Sequence, residues 1–307
     1  MRQPDRMCTT RSSIYRSGFA AALKKGCIRL VDWLFPFVGR QHFDLAWFTI
    51  ANEALLGIRI RSTQETMDAL EQHIRCMQTG AYMRFGDGDV YLLKNKSEAY
   101  QEANDRLAAE MKEAFLLSDD GVMKALAIHS ERFGHEPGMH PGHHLVPDGP
   151  AADLARSVYP WFTGLPVFSP VALHYTATAF PERANRFLKL LKAHALLFIG
   201  NESVPAEKLM QLFGAVPHIK TPSRNAYYAM DRIEQETVLQ LEQLSRPFGV
   251  LVVAMGCSGR VLMKRLYHRG YPVFLFDFGS LLDGICGWET RTWLKGEIRY
   301  DVLLEGL

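Results

Sequence analysis

At 307 residues, 48% of them apolar, the chain can bury a substantial core, and disorder is not its main character. With 35 Lys and Arg against 33 Asp and Glu, its net charge is only +2, which excludes the global basic field of a nucleic-acid binder but not a local nucleotide site. Five scattered cysteines without a CxxC pair suggest reduced thiols in a cytoplasmic setting, and no run approaches the roughly 18 to 20 apolar residues that cross a bilayer.

Residues 1–60 read as a helical extension. Basic residues precede the apolar run 19–23, but Lys24 and Lys25 interrupt it too early for a signal-peptide core. The apolar, aromatic stretch 27–37, with Lys24, Lys25, Arg29 and Arg40 in or around it, suits either a helix lying on the inner face of an anionic membrane or one packed on the domain or on another subunit of a homo-oligomer. The main domain is expected over 61–307. Ser62 and Glu65 form a capping signature ahead of Met67, Leu70, Ile74 and Met77 at helical spacing, and Gly80 reads as the stop. A strand at 81–85 follows, then a helix from about 98 to 117 with Leu107, Met111, Ala114 and Phe115 on one face. Further strands are expected at 122–128, 195–199, 216–219, 248–254 and 272–276, an extended stretch at 166–173, and helices at 151–162 and 182–194. Continuous apolar strands alternating with amphipathic helices predict an α/β, Rossmann-like, mostly parallel sheet with helices on both faces.

The segment Arg84-Phe85-Gly86-Asp87-Gly88-Asp89 places two carboxylates at the C-terminal end of a strand, where ligands bind in open α/β sheets. If extended or tightly turned, residues i and i+2 point the same way, so Asp87 and Asp89 can face one Mn²⁺ or Mg²⁺. Gly86 and Gly88 let the backbone turn and a bulky ligand approach, and Arg84 offers a planar fork to a phosphate. A solvated turn would read similarly. The three late strands also end in small or polar residues: Gly200-Asn201, Gly256-Cys257-Ser258-Gly259, and Asp277-Phe278-Gly279-Ser280. Gly256-x-x-Gly259 opens a helix whose N–H groups can meet a phosphate, or simply starts a helix packed on its strand. In Pro222-Ser223-Arg224-Asn225-Ala226-Tyr227, Ser223 suits a helix cap, with Arg224 adding charge and Asn225 a donor and an acceptor; a capped surface helix would look the same. His129, His135, His140, His143 and His144 match no zinc spacing and read as an acceptor-side or subunit loop. Cys257 reads as structural or ligand-proximal.

Taken in order, these segments resemble the GT-D type glycosyltransferases, a bacterial family first described as a domain of unknown function. The anchors are 84–89, Pro222-Ser223-x-Asn225-Ala226-Tyr227 followed by Asp231 and Ile233, Gly256-x-x-Gly259-x-Val261-Leu262, and Gly270-Tyr271 leading to Asp277-x-Gly279 and Trp288-Glu289. The resemblance covers roughly residues 62–295. It implies a metal-dependent glycosyltransferase that moves a sugar from a nucleotide-diphosphate donor, typically a UDP-sugar, to a hydroxyl of a glycan or glycoconjugate acceptor. By position, Asp87 and Asp89 would hold a Mn²⁺-type cation and the diphosphate with Arg84 in support, and 223–227 would line the nucleotide pocket. The Gly256 loop and the loop from Asp277 to Asp283 would close the sugar and acceptor side. Two positions depart from the family pattern: Asp89 stands where Glu is usual, and Ser280 where a His follows the glycine. Those departures motivate the alternative of a nucleotide-sugar or glycan binding protein without turnover. A Rossmann-like methyltransferase, with Gly256-x-x-Gly259 as its cofactor loop, is a third reading.

Overall fold

The computed structural model describes residues 59–126, 166–243, 246–288 and 298–307, all within one compact unit, Asp44–Leu307. The expected extension up to residue 58, the His-rich loop and the helix at 151–162 lie outside the described residues. The chain runs β1 (Arg59–Ile60), α1 (Thr63–Arg75), β2 (Gly80–Phe85), α2 (Asp87–Leu93), α3 (Asp105–Leu116), β3 (Val122–Leu126), β4 (Pro166–Val167), α4 (Ala172–Ala179), α5 (Pro181–His194), β5 (Ala195–Asn201), α6 (Ala206–Phe213), β6 (His218–Thr221), a 3₁₀ turn (Ala226–Ala229), α7 (Met230–Glu242), β7 (Gly249–Ala254), α8 (Gly259–His268), β8 (Val273–Asp277), α9 (Leu281–Ile285) and α10 (Tyr300–Leu303).

Six strands form one parallel sheet in the order β3-β2-β8-β7-β5-β6, as the apolar runs predict. The central strands are buried on both faces, and their side chains alternate between the two with period two. Tyr82, Val250, Val252, Phe274 and Phe276 join the core shared with α1, α4, α5 and α6, while Leu251, Val253 and Leu275 alternate with them and face the layer in which α8 packs on α3 and α7. With apolar side chains on both faces, the open positions of this sheet are its strand ends.

Ser62 caps α1 as expected: its hydroxyl accepts from Glu65 N at 3.1 Å, and the Glu65 carboxylate accepts from Ser62 N at 2.8 Å. Other expectations are corrected. The helix stops at Arg75, and Met77, exposed at φ 52°, makes the turn; Gly80 is the first residue of β2, where a Cβ would strike the Gly121 carbonyl. Only residues 166–167 of the stretch 166–173 are strand, because Ala172 already begins α4. The helix expected from 98 starts at Asp105, capped by Asn104 accepting from Leu107 N at 2.8 Å.

Lys124 of β3 is buried, its ammonium donating to the Phe115 carbonyl at 2.8 Å. Burial pulls its pKa down to about 8 from 10.5. The unfolded chain therefore holds this proton up to a higher pH than the folded one, so the cost of burying the charge is present in full below about 8 and is relieved as pH rises toward 10.5. Chemical denaturation at pH 7.5 and 9.5 (roughly, on either side of the folded value) should show Lys124→Met losing its stability advantage over wild type at the higher pH. An unchanged difference would contradict the assignment.

Candidate functional site

The C-terminal ends of β2, β8, β7 and β5 open into a pocket of about 950 Å³. Its floor is an ion-pair chain. Arg84 leaves the end of β2 and Asp277 the end of β8, with Arg84 Nη1 4.0 Å from Asp277 Oδ1. Arg260, in the first turn of α8, reaches Asp277 Oδ2 through Nη1 at 3.2 Å and Asp89 Oδ1 through Nε at 3.2 Å. Its Nη2 stands 3.3 Å from Asp89 Oδ2, and Nη1 donates to the Gly256 carbonyl at 2.6 Å. Burial by itself would lower the pKa of Arg260, but the charges of Asp277 and Asp89 outweigh it and raise it, so the guanidinium keeps its charge.

The acids need a correction. The dipeptide spacing 87–89 is not extended: both residues belong to α2, where i and i+2 stand about 200° apart around the axis and do not share a face. Asp89 is almost fully buried, and its Oδ2 accepts from Gly86 N at 2.7 Å, closing the strand-to-helix turn from within. The Asp87 side chain lies outside the described residues. Gly88 packs so closely on the α8 loop that a Cβ there would stand 3.0 Å from Cys257 Sγ.

Arg84 is aimed by a glycine. Gly279 has φ 70°, and a Cβ at that position would fall on the Arg84 guanidinium, so the arginine lies directly across the Gly279 backbone. Its Nε and Nη1 are buried and have no hydrogen-bond partner among the described residues. Gly279→Ala should therefore displace the guanidinium and cost about 1–2 kcal/mol for the left-handed backbone alone. Thermal melts would show a moderate drop, and ligand binding should fall as far as in a variant without Arg84; a variant that loses neither would contradict this geometry.

The remaining expected site residues divide. Asn201, Pro222, Ser223, Asn225, Gly256, Ser258, Ser280 and Asp283 line the pocket with Arg84, Gly86, Gly88, Asp89, Asp277 and Gly279. Gly200, Arg224, Tyr227 and Gly259 are not among its lining residues. A Cβ on Gly200 would meet the Phe198 ring and the Ala254 carbonyl, so that glycine serves sheet packing. Tyr227 points inward, its hydroxyl donating to Glu110 at 2.8 Å, and burial with Glu110 raises its pKa. Ser223 caps no helix: Asn225, at φ 54°, precedes the 3₁₀ turn. The Asn225 side-chain oxygen accepts from Glu102 N at 2.8 Å, and its N–H donates to the Tyr100 carbonyl at 2.8 Å. Asn225 thus pins the loop before α3 instead of presenting its acceptor to a ligand. Ser258 likewise donates to the Met255 carbonyl at 3.2 Å.

Sequence reasoning missed Arg260, the buried His174 of α4, and the loop residues Tyr100 and Gln101, all of which line the pocket. His174 fell just past the stretch 166–173 read as extended, in residues assigned to no element. Arg260 carries a weak signal, a charge at an apolar helix start, but its partners are far off in sequence.

Three solved structures resemble this arrangement. A glycosyltransferase of the DUF1792 type from Streptococcus sanguinis superposes with TM-score 0.54 at 18% identity, over 75% of this chain and 84% of that one. A selenomethionine-substituted DUF1792 domain (TM-score 0.52, 17% identity, 77% and 83% covered) does so as well. So does a DUF1792 domain described as having a distinct glycosyltransferase fold (TM-score 0.52, 18% identity, 77% and 83% covered). The chain has the DUF1792 fold. No protein-family model matches it, and no curated protein sequence does. Among the described residues, no helix is long and apolar enough to cross a membrane.

The DUF1792 fold brings a test for the expected Mn²⁺ or Mg²⁺. Such a cation needs several oxygen ligands with open lone pairs. Among the described residues no group of three or more His, Cys, Asp or Glu stands together, and Asp89 and Asp277 already face the guanidinium of Arg260. Without Asp87, whose side chain lies outside them, the described residues do not form a ligand set for a divalent cation.

Proposed function

We propose that this protein is a glycosyltransferase that takes its sugar from a nucleoside diphosphate donor, with a UDP-sugar the first to test, and passes it to a hydroxyl of a glycan or glycoconjugate. The observation that carries this reading is Arg84: a guanidinium with two buried N–H groups that have no hydrogen-bond partner among the described residues, on the floor of a large pocket at the sheet's C-terminal edge. The likeness to domains described as glycosyltransferases supports it. In the reaction the bond between the anomeric carbon and the phosphate oxygen breaks, its electron pair leaves with the diphosphate, and the acceptor oxygen bonds to that carbon as it loses its proton. Arg84 stabilises the charge gathering on the diphosphate, because a preoriented cation in a dry site acts without reorganising. Asp277, held by two arginines, is a positioning residue and not the base. Asp283, on the pocket wall, takes the acceptor proton.

Binding and hydrolysis assays with UDP-, GDP- and dTDP-sugars, with and without Mn²⁺, test this. Binding of none of them under any condition would overturn it. The engagement of Asp89 and Asp277 by Arg260 favours one second reading, a nucleotide-sugar binding protein without turnover. Donor binding with neither hydrolysis nor transfer to cell-derived acceptors would select that one.

A further inference from the structure

We infer that Arg260 is the resident cation of the Asp89–Asp277 pair, and that a nucleoside diphosphate binds this pocket through guanidinium groups without a divalent metal. The nucleotide half of this inference rests on the donor reading above; the metal half does not.

Asp89 Oδ2 takes the Gly86 N–H at 2.7 Å and lies 3.3 Å from Arg260 Nη2, while Oδ1 lies 3.2 Å from Arg260 Nε. Asp277 Oδ2 lies 3.2 Å from Arg260 Nη1, and Oδ1 faces Arg84. A guanidinium is planar, forked and always charged, so one side chain can bridge two carboxylates that converge from different elements. A divalent ion entering between them would need the same lone pairs and would stand against a fixed positive charge a few ångströms away.

Arg260 is also held where it is. Only 8% of the residue is exposed, and its third anchor is the Gly256 carbonyl at 2.6 Å, on the loop at the end of β7. To release the acids, the guanidinium would have to abandon two buried ion pairs and a backbone hydrogen bond together. The floor then carries two carboxylates and two guanidinium groups. Arg260 is turned to the acids, with Nη1 and Nη2 in hydrogen bonds and Nε, 3.2 Å from Asp89 Oδ1, in an ion pair alone; Arg84, 4.0 Å from Asp277 and with Nε and Nη1 unpartnered among the described residues, has more donors to give. Phosphate oxygens are the acceptors that complete it.

The test uses the full chain. Mn²⁺ alone is titrated into the protein and followed by electron paramagnetic resonance; the expected result is no saturable site at millimolar metal. Calorimetric titration with UDP in EDTA and then in Mn²⁺ is expected to give affinities equal within about two-fold. Arg260→Gln, checked for folding by circular dichroism, should gain a Mn²⁺ site that Asp89→Asn removes. One equivalent of Mn²⁺ on wild type, lost in Asp89→Asn, would overturn the inference, as would UDP binding that appears only with Mn²⁺. If UDP binds in neither buffer, the donor reading and the nucleotide half fall together, and the Mn²⁺ titration of wild type still decides the metal half, whether or not the variant folds.

Discussion

Replacing Arg84 by alanine should weaken nucleoside diphosphate binding roughly 10²- to 10³-fold, while the protein stays folded. The side chain holds only one long ion pair, 4.0 Å to Asp277, and its Nε and Nη1 have no hydrogen-bond partner among the described residues. Its removal therefore costs the fold little. Hydrogen bonds to a charged group contribute about 1.5–3 kcal/mol each, so losing two of them accounts for that factor. Arg84→Lys should recover only part of the loss, because an ammonium keeps the charge without the fork. Calorimetry with UDP on the three proteins gives the answer, and unchanged affinity in Arg84→Ala would remove the reason for placing the diphosphate on this floor.

Replacing Arg260 by methionine should have the largest effect on stability, about 3–5 kcal/mol, because it takes the bridging cation from two buried carboxylates and leaves Asp277 only Arg84, 4.0 Å away. Asp89 and Asp277 are both almost fully buried, so neither can relax into water. Neutralising them as well, with Asp89→Asn and Asp277→Asn added to Arg260→Met, should return much of the loss, since the cost belongs to the unpaired charges and not to the volume of the arginine. Urea unfolding of wild type, the single variant and the triple variant measures it. A triple variant weaker than the single one would mean that the floor is held by packing and not by charge.

Much of the architecture was legible in the chain because it is written in short-range patterns. The apolar runs in β5, β7 and β8 are long enough to announce strands buried on both faces, and the alternation with helices requires a parallel sheet. The Ser62–Glu65 cap is complete within four residues, so it reads correctly without any tertiary knowledge. The small, polar residues after the late strands β5, β7 and β8 likewise marked the edge where the pocket opens.

Where local pattern failed, a distant contact had overridden it. Residues 98–104 have a helical composition, but Tyr100 and Glu102 hydrogen-bond to Asn225, and Gln101 to the N–H of Tyr227, more than a hundred positions away, which holds the segment as a loop and starts α3 at Asp105. Helix α2 is only seven residues long, too short for a periodic signal, and its presence is what separates positions 87 and 89. The chain alone thus settled the parallel α/β sheet, its strand ends and the arginine and acids gathered there. Only the tertiary structure decided the chemistry of those groups: Arg260 lies 171 positions from Asp89, and Gly279 lies far along the chain from the Arg84 that crosses it. Spacing fixes what a residue does only within a turn or a strand, whereas the pairing of a buried charge depends on which elements the sheet brings side by side.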